Sequence, residues 1–255
     1  MMKRILFATD LDNTLLFSHR HRQPGDRCAE LWNGAEQGFF TPETVDLLPQ
    51  AARQVRLLPI TTRSIAQYQR IRWPAGALPR EALTANGAVL LRDGEIDRDW
   101  YDQSWELVRA HQGGLRDLLE RISAREDVTS ARIVENMYVY AACSDAAAAE
   151  RCAAAWAQDA PFQMEVSGRK VYWFPPGIDK GTALRRAAGR YRPERILCAG
   201  DSVIDVPMLR RADLAMIPDG TLLPALPAER ALVCQENVRF PDFVLRTVLA
   251  QAGPG

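Results

Sequence analysis

Residues 1–16 read MMKRILFATDLDNTLL, an apolar run that delivers the chain into two aspartates spaced two apart, Asp10 and Asp12. Burying carboxylates without partners is expensive, so something must compensate for them. The run follows a short basic start and is broken by Asp10, which leaves it too short for a secretory apolar region or a membrane-spanning helix. It predicts a first strand. In an extended segment, residues two apart point to the same side, so both carboxylates can meet one ligand. The carboxyl ends of strands are also where open α/β sheets bind ligands. Magnesium suits such an oxygen-only site, completed by a substrate phosphate. The competing reading is a turn with two solvated acids.

The chain has 255 residues, 47% of them hydrophobic and 25% charged, which describes a globular protein of one large domain or a core with a smaller companion. Lysine plus arginine and aspartate plus glutamate number 32 each, so no global field draws the chain to nucleic acid or to an acidic membrane. Neither is expected as a partner, and nothing in the pattern specifies an oligomer. The five cysteines, Cys28, Cys143, Cys152, Cys198 and Cys234, are scattered and form no C-x-x-C pair, which argues against a disulfide framework or a zinc knuckle and fits a reducing cytoplasm.

Short β-rich runs alternate with helical patterns at both ends: RILFAT, TPETVDLLPQAARQ, VRLLPI and SIAQYQRI, then KGTALRRAAGRY, RILCAG, VPMLRRA and LAMIP. That alternation predicts an α/β fold, a doubly wound, Rossmann-like parallel sheet covered by helices on both faces. The middle reads differently. It holds GAVLLRDGEID with a D-G turn, a long helix around SWELVRAHQGGLRDLLERIS, strand-like ARIVENMYVYAAC, an alanine-rich helix DAAAAERCAAAWAQ, and strands QMEVSG and KVYWFP. The expected division is a core of residues 1–86 and 176–255 with an α+β cap inserted at 87–175, the junctions being NG and PPG. Residues 17–40, FSHRHRQPGDRCAELWNGAEQGFF, are polar and without clear periodicity, and predict either a functional flap or a mobile surface loop.

Three later segments join the opening pair. In LPITTRS, Thr61, Thr62 and Arg63 follow a strand and precede a helix. Backbone N–H groups at a helix start plus a hydroxyl make an anion site suited to phosphate, although an ordinary N-cap has the same appearance. GIDKGTALRRAAGR puts Lys180 where a helix begins, and a cation there opposes the helix dipole unless an anion stands in front of it. CAGDSVIDVPML places Asp201 at a strand end and Asp205 four residues on, hence on one face if the helix has begun. Asp201 is placed to complete a metal's carboxylate set; Asp205 binds directly, through water, or orients its neighbours.

In order and spacing, ATDLDNTLL, LPITTRS, GIDKGTAL and CAGDSVIDVPML resemble the four motifs of the haloacid dehalogenase (HAD) superfamily of phosphohydrolases, and the resemblance covers nearly the whole chain. The insertion between LTANGAVL and VYWFPPGIDKG resembles the α+β cap of the Cof-like and sucrose-phosphate-phosphatase-like branch. Carried onto matching positions, the resemblance implies that Asp10 attacks phosphorus to form an aspartyl phosphate. Asp12 then protonates the leaving oxygen and deprotonates the attacking water. Thr61 and Lys180 hold the phosphoryl oxygens, and Mg²⁺ sits on Asp10, the Asp12 carbonyl and Asp201, with Asp205 in the same acidic set. Thr62, Arg63 and Asn86, near core strand ends facing the cap, are expected to touch substrate. The implied activity is Mg²⁺-dependent hydrolysis of a small phosphorylated metabolite, first of all a phosphosugar. A nucleotide or cofactor phosphate as substrate, a phosphotransferase or mutase, and a non-enzymatic binding module are the alternatives.

Two departures stand out. Ile204 occupies the position at which the branch often has asparagine in its fourth motif, and the link after the first motif is long, with His19, Arg20, His21, Arg22 and Arg27 in it. Within the cap, Arg132, Glu135, Asn136, Arg169 and Tyr172 read first as surface. Trp100, Trp105, Trp156 and Trp173 read as packing between layers, and His111 as a solvent-facing helical residue.

Overall fold

The computed structural model describes residues 4–156 and 161–253. The opening run forms strand β1 (Ile5–Thr9), whose alternation divides it between two cores: Phe7 is buried in one, Leu6 and Ala8 in the other. Past Thr9 the chain makes one helical turn, in which the Leu11 carbonyl accepts from the amides of Thr14, Leu15 and Leu16 at 3.2, 2.9 and 2.8 Å. Residues 17–40 then form a small antiparallel sheet of β2 (Phe17–Ser18), β3 (Arg27–Trp32) and β4 (Ala35–Phe40). Asn33 and Gly34 turn its hairpin at positive φ. Register shifts around Glu30 break the alternation that would have marked β3 as a strand in the sequence.

Helix α1 (Pro42–Gln54) is capped by Thr41, whose hydroxyl accepts the Thr44 amide. Strand β5 (Arg56–Pro59) lies beside β1, and α2 (Ile65–Gln69) follows it. The ladder of β6 (Glu81–Thr84), β7 (Val89–Arg92) and β8 (Glu95–Ile96) joins this edge through a parallel bridge between Ile60 and Leu83. The expected D-G turn links β7 to β8, with Asp93 and Gly94 at φ 49° and 89°. Helix α3 (Arg98–Val108) then docks on the core: Trp100 Nε1 donates to the Gly87 carbonyl at 3.0 Å, and the Arg186 guanidinium lies 3.8 Å over the Trp100 ring. The elements between residues 87 and 108, assigned to the inserted unit by the sequence reading, therefore make these contacts with the core.

The long helix expected around SWELVRAHQGGLRDLLERIS is two helices. Helix α3 ends at Val108, one 3-10 turn spans Arg109–His111, and α4 (Gln112–Ser123) carries Gly113 and Gly114 in its first turn. Two glycines disfavour continuous helix, and the break separates a helix packed on the core from one packed on the cap. The cap continues with β9 (Val128–Val134), β10 (Tyr138–Cys143), α5 (Ala146–Ala154), β11 (Gln163–Ser167) and β12 (Lys170–Phe174), its antiparallel strands ordered β11-β12-β10-β9. The strand-like ARIVENMYVYAAC is a hairpin, turned by Glu135 and Asn136 at φ 48° and 65°. One face of this sheet packs with α4 and α5 around Leu115, Ile122, Cys152 and Trp173. The other presents Tyr138, Tyr172 and Phe174 to the core.

The chain returns through α6 (Lys180–Tyr191), β13 (Arg195–Ala199), the short α7 (Val206–Leu209), β14 (Leu214–Ile217), β15 (Ala231–Val233) and α8 (Phe240–Ala252). The central parallel sheet runs β15-β14-β13-β1-β5. On its one face, Leu48, Val244 and Val248 from α1 and α8 cover Phe7, Leu57 and Leu197. On the other, Leu184, Ala187 and Leu209 from α6 and α7 cover Leu6, Leu58 and Cys198. Each fully buried leucine contributes about 1.5–3 kcal/mol. Because both faces are covered, the strands read as unbroken apolar runs. The expected doubly wound sheet with an inserted α+β unit is the fold found. Among the described residues, no helix is long and apolar enough to cross a membrane.

Asp97 ties the hairpin edge to α3 and α6. Its carboxylate accepts the Trp100 amide at 3.0 Å and pairs with Arg190 at 3.0 Å and Arg92 at 3.3 Å. Burial pushes its pKa up, but the Trp100 amide and the two arginines outweigh that and hold it below the usual carboxylate range. Asp97→Ala is expected to cost about 1–3 kcal/mol in urea unfolding near neutrality. Because the folded pKa is depressed, this difference is full above a pH of about 4 and shrinks as the pH falls through the folded value.

Candidate active site

Thr9 stands opposite Pro59 on β5 and Ala199 on β13, so the residues that follow all three strands emerge along one edge of the sheet. The Asp10 amide donates to the Ala199 carbonyl at 2.9 Å, and the Ile60 amide to the Thr9 carbonyl at 2.8 Å. Lys180, the first residue of α6, is 1% exposed, and its Nζ donates to Asp10 Oδ1 and Asp205 Oδ1, both at 2.5 Å. Asp179 serves as the helix cap, accepting the Thr182 amide at 2.8 Å, so the lysine side chain is free to turn inward. The cation at a helix start thus has its anions. Burial would lower its pKa, but the charges of Asp10 and Asp205 outweigh burial and keep the ammonium protonated.

Two glycines permit this convergence. A Cβ at Gly181 would lie 2.3 Å from the Pro207 carbonyl oxygen, and one at Gly200 would lie 2.5 Å from Asp205 Cβ. Asp205 Oδ2 accepts from the Asp201 amide at 3.1 Å and from the Ser202 amide and hydroxyl at 3.0 Å each. With Lys180 on its other oxygen, the carboxylate is occupied by the protein, which makes Asp205 the group that fixes Lys180 and the loop after β13. Asp201 is held more loosely, by Asn13 Nδ2 and Thr14 Oγ1 at 3.4 Å.

Asp10, Asp201 and Asp205 each offer an oxygen within 4.8 Å of the others. Three carboxylates against one lysine leave two uncompensated negative charges. Burial pushes Asp10 well above the usual carboxylate range, against the pull of Lys180 and with the push of Asp205 and Asp201. Burial and the Asp205 charge push Asp201 up to about 7. An oxygen-only donor set with this charge deficit, Asp10, Asp201 and Asp205, fits a hard divalent cation.

Asp12 directs its carboxylate to Arg63, accepting from Nη2 at 2.8 Å and Nε at 3.0 Å. Burial raises the Asp12 pKa, but the Arg63 charge and hydrogen bonds outweigh it and hold the carboxyl at about 2. Arg63 also donates to Glu30 Oε2 at 2.8 Å, and Glu30 Oε1 accepts from Arg70 Nε at 2.9 Å. Glu30 is buried and comes from β3. The 17–40 segment is therefore a flap fastened to the segment after β5 by buried ion pairs. None of His19, Arg20, His21, Arg22 and Arg27 lines the cavity it helps to close.

That cavity, of about 560 Å³, lies between the flap, the 62–70 segment and the inner face of the cap. Asp12, Thr62 and Arg63 line it from the core; Arg132, Tyr138, Tyr140, Lys170 and Tyr172 line it from the cap. The cap is docked by Tyr138, whose hydroxyl donates to the Thr62 carbonyl at 2.6 Å, and by Glu135, whose Oε1 accepts the Ile65 amide at 3.0 Å. The start of α2 is thus occupied by Glu135 and capped by Ser64, which accepts the Gln67 amide. Thr61 is fully buried just past β5, and its Oγ1 accepts the Arg63 amide at 3.2 Å.

Asn86 lies elsewhere. Its backbone is left-handed at φ 58°, its Nδ2 donates to the Ile178 carbonyl at 3.3 Å, and it is absent from the cavity wall. It ties two core segments together instead of facing the cap. Ile204 is buried in the apolar cluster that holds Leu11 and Leu15, so a hydrocarbon side chain fills its position. Sequence reasoning left out Glu30, Arg70, Lys170, Tyr138 and Tyr140. The signals available were the N-G turn of the flap hairpin and the alternation of KVYWF, which puts Lys170 and Tyr172 on one face.

No protein-family model matches the sequence, and no curated protein does. Solved structures match its fold. The sucrose-phosphatase from Synechocystis sp. PCC6803, in complex with sucrose and phosphate, is 18% identical and superposes with a TM-score of 0.62 over 98% of each chain. The C-terminal domain of the C. albicans trehalose-6-phosphate phosphatase is 16% identical, with a TM-score of 0.60 over 99% of this chain and 93% of that one. A phosphatase of the haloalkanoate (HAD) enzyme superfamily from Bacteroides thetaiotaomicron is 17% identical, with a TM-score of 0.57 over 97% and 96%. The chain has the fold of HAD superfamily phosphatases over nearly its whole length.

The close approach at Gly200 is testable against Gly189, whose added Cβ would meet nothing within 4 Å. Gly200→Ala is expected to cost about 1–3 kcal/mol in urea unfolding by pushing Asp205 off Lys180. Gly189→Ala, inside α6, is expected to stabilise by about 0.5–1 kcal/mol.

Proposed function

We propose that this chain is a Mg²⁺-dependent phosphomonoesterase acting on a small phosphorylated metabolite through an aspartyl-phosphate intermediate. The observation that carries the reading is the buried clasp of Lys180 on Asp10, beside Asp201 and at the sheet edge from which Asp12 also rises. A phosphosugar is the first candidate substrate, supported by the sucrose and phosphate bound to the Synechocystis enzyme of like fold.

Lys180 engages Asp10 Oδ1 and so orients the carboxylate for attack on phosphorus. The bond from the Asp10 oxygen to phosphorus forms as the ester P–O bond breaks, and Asp12 gives a proton to the leaving oxygen. In the second half-reaction Asp12 takes a proton from water, the water oxygen bonds to phosphorus, and the Asp10–phosphorus bond breaks to release phosphate. The buried Thr61 hydroxyl and the Lys180 ammonium stabilise charge on the transferring oxygens. When bound at Asp10, Asp201 and the Asp12 carbonyl, Mg²⁺ supplies the charge neutralisation that lets an anionic nucleophile meet an anionic ester. Asp205 holds Lys180 in place throughout, and the docked cap and flap limit access of bulk water.

Asp10→Asn is expected to lower phosphate release from a panel of phosphomonoesters by more than about a thousandfold while circular dichroism stays that of the native protein. Chelation with EDTA is expected to abolish turnover and added Mg²⁺ to restore it. Full activity in the Asn variant, or in metal-free buffer, is incompatible with the reading.

A further inference from the structure

The ionised groups around the cavity can be paired off one by one. Glu30 binds Arg63 through one oxygen and Arg70 through the other, and Asp12 binds Arg63 through both of its oxygens. Two acids thus neutralise two arginines. Two cations of the wall remain, Arg132 and Lys170, and among the described residues neither has a carboxylate within ion-pair distance. Neither Glu135, which accepts the Ile65 amide, nor Glu165, which stands opposite Tyr172 outside the wall and accepts from Gln163 at 2.8 Å, is within ion-pair distance of them.

Both unneutralised cations belong to the cap sheet and to one of its faces. Arg132 stands opposite Tyr140, Tyr140 opposite Tyr172, and Lys170 lies two residues before Tyr172 on the same strand. The Arg132 guanidinium lies 4.6 Å over the Tyr140 ring and reaches Gln67 Oε1 at 3.4 Å. The aromatic row provides a wall for the body of a ligand, with a positive charge at either side. Lys180 already supplies a cation beside Asp10 for the phosphoryl group, and Lys180, Asp10, Asp201 and Asp205 are not part of the wall that Arg132 and Lys170 line.

We infer that the cavity takes a phosphomonoester carrying a second anionic group, a carboxylate or a further phosphate, which Arg132 and Lys170 bind while Asp10 attacks the esterified phosphorus. This rests on the phosphatase reading and narrows it from phosphosugars in general to phosphorylated hydroxy acids, sugar acids and bisphosphates. A cavity of about 560 Å³ accommodates molecules of that size.

The test is initial-rate kinetics of the full chain with Mg²⁺ on matched pairs: glycerol phosphate against phosphoglycerate, glucose phosphate against phosphogluconate, and fructose monophosphate against fructose bisphosphate. The acid or bisphosphate member of at least one pair is expected to have a kcat/KM about tenfold or more above its neutral partner. Arg132→Gln and Lys170→Gln are each expected to shrink that ratio by about tenfold, through KM rather than kcat, and added salt to shrink it too. Equal rates on both members of every pair overturn the inference and leave the phosphatase reading standing. So does a loss in the variants that falls equally on both members, which is what a merely structural role for the two cations produces. Absence of hydrolysis of every ester overturns the phosphatase reading itself, and this inference with it.

Discussion

Lys180 lies almost wholly out of water between Asp10 and Asp205, and none of the three charges could be held there singly. Removing an ion from water costs several kcal/mol even after relaxation, and only close partners return it. The ammonium reaches its partners because α6 starts beside the sheet edge, with its apolar side fixed by Ala183, Leu184 and Ala187 against the strands. Gly181 lets the helix meet Pro207, and Gly200 lets the loop after β13 pass over Asp205. The site is therefore a product of core packing. What would cost stability as an isolated cluster of like charges becomes tolerable because the same sheet that buries Phe7, Leu57 and Leu197 also aligns the ends of their strands.

The two ends of the proposed site differ in how they are built. At the sheet edge Lys180 clasps Asp10 and Asp205 directly, and Asn13 and Thr14 hold Asp201. At the far end the walls come from the flap and the cap, both insertions between core elements, and the groups are long, aromatic or cationic. Glu30 connects the ends: anchored by Arg63 and Arg70, it ties the flap to the segment that also holds Asp12. On the proposed reading, chemistry common to many phosphate esters is kept in the core while recognition of the rest of the molecule changes in the insertions.

The convergence of Asp10, Lys180 and Asp201 is legible in the sequence because these residues are of a type that is costly to bury and stand at strand ends or a helix start, where a ligand or a mutual pairing explains them. Direction and saturation were not readable. Asn86 follows a strand as a substrate contact would, but its left-handed backbone turns it to the Ile178 carbonyl. Asp205 has the spacing of a metal ligand and offers an oxygen beside Asp10 and Asp201, but that its carboxylate also holds Lys180 and the Ser202 turn shows only in the fold. The flap was read as aperiodic because two register shifts around Glu30 spoil its alternation, although Asn33-Gly34 marked the hairpin. Likewise the one expected helix is two, broken at Arg109–His111 just before Gly113 and Gly114, since the two halves pack on different bodies. Lys170 gains its meaning only from strand register.

In the proposed reaction Asp12 has to part from Arg63, and the burial of the two decides which of them moves. The Arg63 side chain is 10% exposed and that of Asp12 is 44% exposed, so the guanidinium is sunk in the wall while the carboxylate stands largely in the cavity. Separating Arg63 from Glu30 would uncover a buried charge at a cost of about 3–5 kcal/mol, whereas separating it from a half-solvated carboxylate costs about 1 kcal/mol. Arg63 also keeps Glu30 as a partner when Asp12 leaves. On the proposed reading Asp12 is the mobile member, and once away from the guanidinium its pKa would rise toward that of a group able to donate a proton to the leaving oxygen. An ester phosphate entering beside Arg63 would compete for the same donors and promote that release, so that in the proposed reaction arrival of the substrate and readiness of the acid are coupled through one arginine.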